Sequence, residues 1–251
     1  GVTNLTGNVT TTGTVGQVYT GVVTNLAASA RTLTATAGDV NIGTGGYAGN
    51  TQGLNIAGDL DLDGAIGATA VFDVSGDANL GANITTVGAG TITIDGATTL
   101  SADTTLTTTG DAVTLTGAVS GDFDLIVATG GNTAIVTLTG AVGTVDAMHI
   151  TGRLDTGAAI TSAESLTVTG VTNLGGNVTT TGAVGQVYTG LVTNAASAAM
   201  TLTAGAGDVN IGSGGYTGAN QNLNIVGDLD LDGDIGATAV FDVSGDANLG
   251  G

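Results

Sequence analysis

The stretch of this chain best suited to chemistry is GDLDLDG at residues 58–64, where Asp59, Asp61 and Asp63 alternate with Leu60 and Leu62. The pattern returns at residues 227–234 as GDLDLDGD, with Asp228, Asp230, Asp232 and Asp234. On a strand, period-2 alternation puts such carboxylates on one face, roughly 7 Å apart. That spacing gathers hard cations, Ca2+ first among them. The string D-x-D-x-D-G also opens a calcium loop, whose twelfth position is a bidentate Glu. Here that position is Ala70, and Leu60 and Leu62 favour a strand over a curled loop. Two readings therefore stand: a solvated acidic strand face, and weak or lattice-forming Ca2+ binding at these seven residues. No other cofactor is indicated.

The remaining polar residues suggest less. Asp39, Asp59, Asp77, Asp111, Asp208, Asp228 and Asp246 each follow a Gly, a pairing that suits a capped corner. Outward T-x-T pairs stand at Thr91/Thr93, Thr114/Thr116, Thr137/Thr139 and Thr167/Thr169. They fit ordinary strand propensity; a flat array of them would instead resemble an ice-binding face. His149 stands alone, and with no Cys in the chain it has no partner for a metal site. Arg31 becomes Met200 in the second copy, and Arg153 is placed to pair with Asp155. Tyr47 and Tyr216 lie in matching GGY loops; inward stacking of Phe in neighbouring coils is one reading of the aromatics, and lateral contact through the GGY loops the other. Phe72 and Phe241 match as well. Solenoid hydrolases need paired carboxylates with aromatic subsites, and solenoid lyases a basic residue. With no Trp, no Lys and 3% aromatic residues, the chain is expected not to be an enzyme.

The elements that must position these residues are repetitive. Residues 1–82 align with residues 170–251 at a constant offset of 169, with 16 differences, so 66 positions are identical. Residues 83–169 complete the first long unit. Within it, alternating segments such as LNIAGDLDLDG and FDVSGDANL are punctuated by Gly38, Gly58, Gly76, Gly96 and Gly117, at spacings of 20, 18, 20 and 21 residues. Units of this size holding two or three short strands are coils of a parallel β-solenoid. The expected fold is all-β: one continuous right-handed parallel β-solenoid over residues 1–251, with roughly 20 residues per coil and about 12–13 coils. At the inter-strand spacing it forms a rod roughly 60 Å long. Between Gly117 and Gly170 the period blurs, so coil length is expected to change there. The core is expected to include Leu54, Ile56, Leu60, Leu62, Phe72, Val74, Ile92, Ile94, Val113 and Leu115. Pro, which cannot donate to a ladder, is absent. A hairpin-built sandwich is the other all-β reading, but it leaves the long identity unexplained.

Composition narrows the function. Twenty Asp, one Glu (Glu164) and two Arg give a net charge of −19, which opposes binding to nucleic acid and to anionic membranes. No apolar run has the length of a membrane span, so no transmembrane segment is expected. The absence of Cys and the acidity suggest an extracellular or cell-surface protein. The chain starts and stops within a repeat, which reads as part of a longer one.

LTVTG-x-x-N-L, VTLTGAV, the Gly-Asp corners and the Thr-rich outer faces resemble the repetitive surface proteins of bacteria. These include filamentous-haemagglutinin-like adhesins and the strand-repeat passengers of autotransporters. The resemblance is one of style along the whole chain, and it implies a right-handed β-helix, secretion, and an adhesive or scaffolding role. The functional expectation is a structural module that forms a rigid rod or filament. Its partner is itself, through end-to-end self-association or continuation of a longer chain. A ligand-binding solenoid, for Ca2+ or for ice, is the alternative.

Overall fold

The computed structural model describes residues 1–250, and at residues 162 and 163 the backbone alone. Every regular element among them is a strand, and every strand pairing is parallel. No helix among the described residues is long and apolar enough to cross a membrane.

Three ladders of strands share one core. The first starts with Thr3–Leu5, Val23–Asn25, Tyr47–Ala48 and Ile66–Thr69 and runs on to Ala247–Leu249. The second starts with Val9–Thr11, Arg31–Ala35, Leu54–Ala57 and Phe72–Val74. The third starts with Gln17–Tyr19, Val40–Ile42, Leu60–Leu62 and Ala78–Leu80. Along the chain the strands visit the first, second and third ladder in strict rotation. Where the third ladder shrinks to a single residue, Val142 bridges Val119 to Ile160. Four longer strands, Ile160–Val168, Val178–Tyr188, Tyr216–Val226 and Ile235–Val243, turn a corner and serve two ladders each. The result is a β-solenoid of about twelve coils at roughly 20 residues per coil.

Alternation dictates what points inward. Leu54, Ile56, Leu60, Leu62, Phe72, Val74, Ile92, Ile94, Val113 and Leu115 are all buried and belong to one core that runs from Leu5 to Leu231. Their neighbours Asp61, Thr91, Thr93 and Thr114 are partly exposed, and Asp59 and Thr116 exposed. Away from the two ends, each inward side chain is covered by those of the coils before and after. The core stays thin and is never interrupted.

Coil length varies in the stretch where the period blurs, and outside it as well. Val113 pairs with Val136, 23 residues on, and Val136 with Leu154, only 18 on. The widest coils fall at matching places in the two copies: Val23 pairs with Tyr47 and Val192 with Tyr216, 24 residues on in each case. The four Tyr residues lie in these wide sections, where the coil has most space to fill. Tyr47 and Tyr216 are buried on the ladders, between Val23 and Ile66 and between Val192 and Ile235. The lateral-contact reading of the GGY segments is thereby replaced by inward packing. Gly46 and Gly215, at φ 69° and 70°, turn the chain so that the following Tyr enters the strand facing the core. Phe72 is fully buried, whereas Phe241, on the last full coil, is 37% exposed.

The Gly markers form a column at one corner. An added Cβ on Gly117 would stand 2.3 Å from the Gly96 carbonyl oxygen, and one on Gly140 2.4 Å from that of Gly117. The corner closes only where each coil offers backbone to backbone.

Candidate functional site: a twice-presented acidic groove

Asp39, Asp59 and Asp77 occupy one corner on three successive coils, where the second ladder passes into the third. Two of these carboxylates, those of Asp59 and Asp77, each cap the coil that follows. The Asp77 N–H donates to Asp59 Oδ1 at 2.9 Å, and the Ala97 N–H to Asp77 Oδ1 at 2.7 Å. The same device recurs elsewhere: Asp124 N–H donates to Asp103, Ala147 N–H to Asp124, and Thr105 N–H to Asn83. These groups cap the neighbouring coil rather than their own turn.

Asp61 lies beside this corner, on the outer face of the third ladder, in register with Asn41 and Asn79. Asn41 Nδ2 donates to Asp61 Oδ2 at 2.6 Å, and Asn79 Nδ2 donates to Asp61 Oδ1 at 3.0 Å. The carboxylate is held between two amides, one from each adjacent coil. Such bonds to an ionised acceptor are among the stronger kind. Together Asp39, Asp59, Asp61, Asp77, Asn79 and Thr99 line a shallow groove of about 380 Å³.

The second copy rebuilds this groove. Asp246 N–H donates to Asp228 Oδ1 at 2.8 Å. Asn210 and Asn248 hold Asp230 between them at 3.1 and 2.9 Å. Asp208, Asp228, Asp230 and Asp246 line a groove of about 340 Å³. This groove lies on the first ladder, whereas its counterpart lies on the third.

Asp63 and Asp232 stand exposed at the far end of their strands, outside the groove. Asp234 is exposed at the next corner, and its counterpart in the first copy is Ala65. The structure thus unites Asp59 with Asp61, and Asp228 with Asp230, but leaves Asp63, Asp232 and Asp234 apart. Among the described residues no three His, Cys, Asp or Glu side chains converge closely enough to hold a metal ion. The amide partners Asn41, Asn79, Asn210 and Asn248 escaped the sequence reading. Their signal was present: VNI and ANL carry Asn at the outward position, 20 residues before Asp61 and 18 after it.

A related clamp lies on the second ladder. Asp155 accepts from Arg153 Nε at 2.8 Å and from Asn173 Nδ2 at 2.7 Å. Asp73, on the same ladder, lacks such a clamp. Burial, with the Asp95 carboxylate as a second cause, raises its carboxyl above the ordinary value.

The Thr pairs do not make a broad plane. Thr93, Thr114 and Thr137 stack in register on the second ladder, and Thr116 and Thr139 flank the last two. Asp155 ends the row on the next coil, and Thr167 belongs to the first ladder instead. His149 is also on the first ladder, between Ile126 and Thr167, exposed.

Comparison with family models, with curated proteins and with solved structures finds no match for this chain.

Proposed function

We propose that this chain is a structural module of an extracellular repetitive protein, a rigid rod with an adhesive or spacing role, and not an enzyme. The observation that carries this reading is the uninterrupted core beneath three ladders, repeated in long, nearly identical units. Solenoids of this kind grow by adding coils, and their stability is a sum over neighbours. The two concave features with most carboxylates are open, and their lining offers no aromatic floor and no basic group.

The reading extends to axial association. The last coil carries unpaired strand edges and exposed apolar side chains such as Leu249 and Phe241. In an end-to-end assembly, the edge strands of one copy would pair with those of the next. Electron microscopy of the purified chain tests this. Straight rods roughly 60 Å long, or multiples of that length, are expected. Compact particles without an axis would reject the rod.

A second reading, cation accumulation, is favoured by the recurrence of the acidic groove in both copies. Because amides already engage both oxygens of Asp61 and Asp230, it takes the form of diffuse screening rather than a coordinated ion.

A further inference from the structure

Each strand of the first copy has its counterpart in the second on the next ladder. Thr3, on the first ladder, corresponds to Thr172 on the second. Leu33, on the second, corresponds to Leu202 on the third. Leu60, on the third, corresponds to Leu229 on the first. The long repeat is therefore not a whole number of coils. Eight ladder steps from Thr3, through Val23, Tyr47, Ile66, Ile84, Leu106, Val127 and Ile150, arrive at Val168. Thr172 lies one strand further, around the corner. The offset is eight coils and one face.

One repeat thus advances the pattern roughly 40 Å along the axis and carries it a third of a turn around the solenoid. Three such repeats make twenty-five whole coils, roughly 120 Å. Relief of charge repulsion does not account for the arrangement. Grooves ~40 Å apart are several Debye lengths from each other at 0.1 M salt, whichever face they occupy. Direction is what changes.

We infer that the long repeat is a phasing device: it turns each repeat-borne surface a third of the way around the rod, so that successive copies face different sides. A flat surface laid against one face engages one copy of the acidic groove and cannot engage the next. Only every third repeat returns the groove to the same side. The inference rests on the rod reading, because facing directions need an axis.

The chain has no Cys, so introduced thiols are labelled alone. Val15 and Val184 are equivalent positions in the two copies, 78% and 61% exposed. Val22, 40% exposed, shares the corner of Val184 between the third and first ladders, eight coils before it. The V15C/V184C and V22C/V184C variants, coupled to maleimide gold clusters, are imaged on single rods. In V22C/V184C the two clusters should lie on a line parallel to the axis. In V15C/V184C they should lie on different sides at nearly the same axial separation. Spin labels on the same pairs give a second measure, with the V15C/V184C distance the longer. Rods in which both pairs align along the axis would overturn the phasing alone. Particles without an axis would overturn the rod and the phasing with it.

Discussion

The Tyr188 hydroxyl donates a hydrogen bond to Gln186 Oε1 at 2.9 Å, inside a wall of aliphatic side chains. Gln186 Nε2 in turn donates to the carbonyls of Val178 and Thr203, at 3.3 and 2.9 Å. Gln17 and Tyr19 repeat the arrangement in the first copy. The network ties strand segments of two neighbouring coils together.

Truncating one member should therefore cost more than its size suggests. Tyr188→Phe leaves Gln186 Oε1 without its donor, and about 1–3 kcal/mol of stability should be lost. Gln186→Leu should cost more, since it abandons two carbonyls and the Tyr hydroxyl. The double variant should be more stable than the sum of the singles, with a coupling of about 0.5–3 kcal/mol in a denaturant double-mutant cycle. Additive losses would show that the residues act separately.

Alkali should unfold the rod. Burial raises the hydroxyls of Tyr19, Tyr47 and Tyr188 above their ordinary value, and pushes Tyr216 up to about 12. In the unfolded chain these groups lose protons from about pH 10. Above that pH the unfolded state binds fewer protons than the folded one, so stability falls as pH rises. Their contribution is complete below the unfolded value and is lost on the way up to the folded values. Denaturant midpoints should decline above about pH 10, and tyrosinate absorbance should appear together with unfolding. Tyrosinate absorbance that rises to completion while the strands persist would contradict the burial.

Asp61 should tolerate an amide better than a methyl. Asp61→Asn keeps one acceptor between Asn41 and Asn79 and removes a negative charge, so its midpoint should stay within about 0.5 kcal/mol of the parent. Asp61→Ala removes both bonds and should cost about 1–2 kcal/mol. Millimolar Ca2+ and a chelator, compared at matched ionic strength, should leave the melting temperature unchanged, because the effect is screening. A calcium-specific rise that Asp61→Asn abolishes would restore a coordinated ion.

Much of this architecture was legible because a thin core imposes a simple code. Leu60 and Leu62 had to face inward if Asp61 faced out, and Gly58, Gly76, Gly96 and Gly117 marked one corner because no side chain fits there. Ligand-like residues were harder to place. Asp59, Asp61 and Asp63 look equivalent in the string, but a corner, a strand face and a strand end separate their fates. Tyr47 read as a loop residue because two Gly precede it, and only the backbone turn at Gly46 aims it inward. The third-of-a-turn phase was not visible, since it depends on counting faces and the sequence shows only coils. The two- and three-residue strands hide where one face ends and the next begins.

The Gly column makes a sharp contrast possible. Gly117→Ala would bring a Cβ to 2.3 Å from the Gly96 carbonyl oxygen, so the corner must open and ladder bonds must stretch. A loss of more than about 3 kcal/mol is expected. Gly131, with nothing within 4 Å of its added Cβ, should accept Ala within about 0.5 kcal/mol. Equal midpoints for the two variants would mean that the corner is not close-packed.

Thr51 tests whether the two copies report on each other's strain. Its φ is 64°, a left-handed conformation that a β-branched residue rarely adopts. Asn50 precedes it at φ 47°, and the turn closes through Gln52 N–H to the Gly49 carbonyl at 2.9 Å. The second copy keeps the same backbone with different residues: Ala219 at φ 49° and Asn220 at φ 63°. Asn tolerates this region better than Thr, so Thr51→Asn should relieve strain and Asn220→Thr should introduce it. Opposite shifts of about 0.5–1 kcal/mol in the urea midpoint are expected. Thr51 is exposed, so lost packing does not mask the effect. Shifts of the same sign, or none, would mean that the corner relaxes around whichever residue it holds. The left-handed pair would then be a consequence of coil closure and not a cost borne by the sequence.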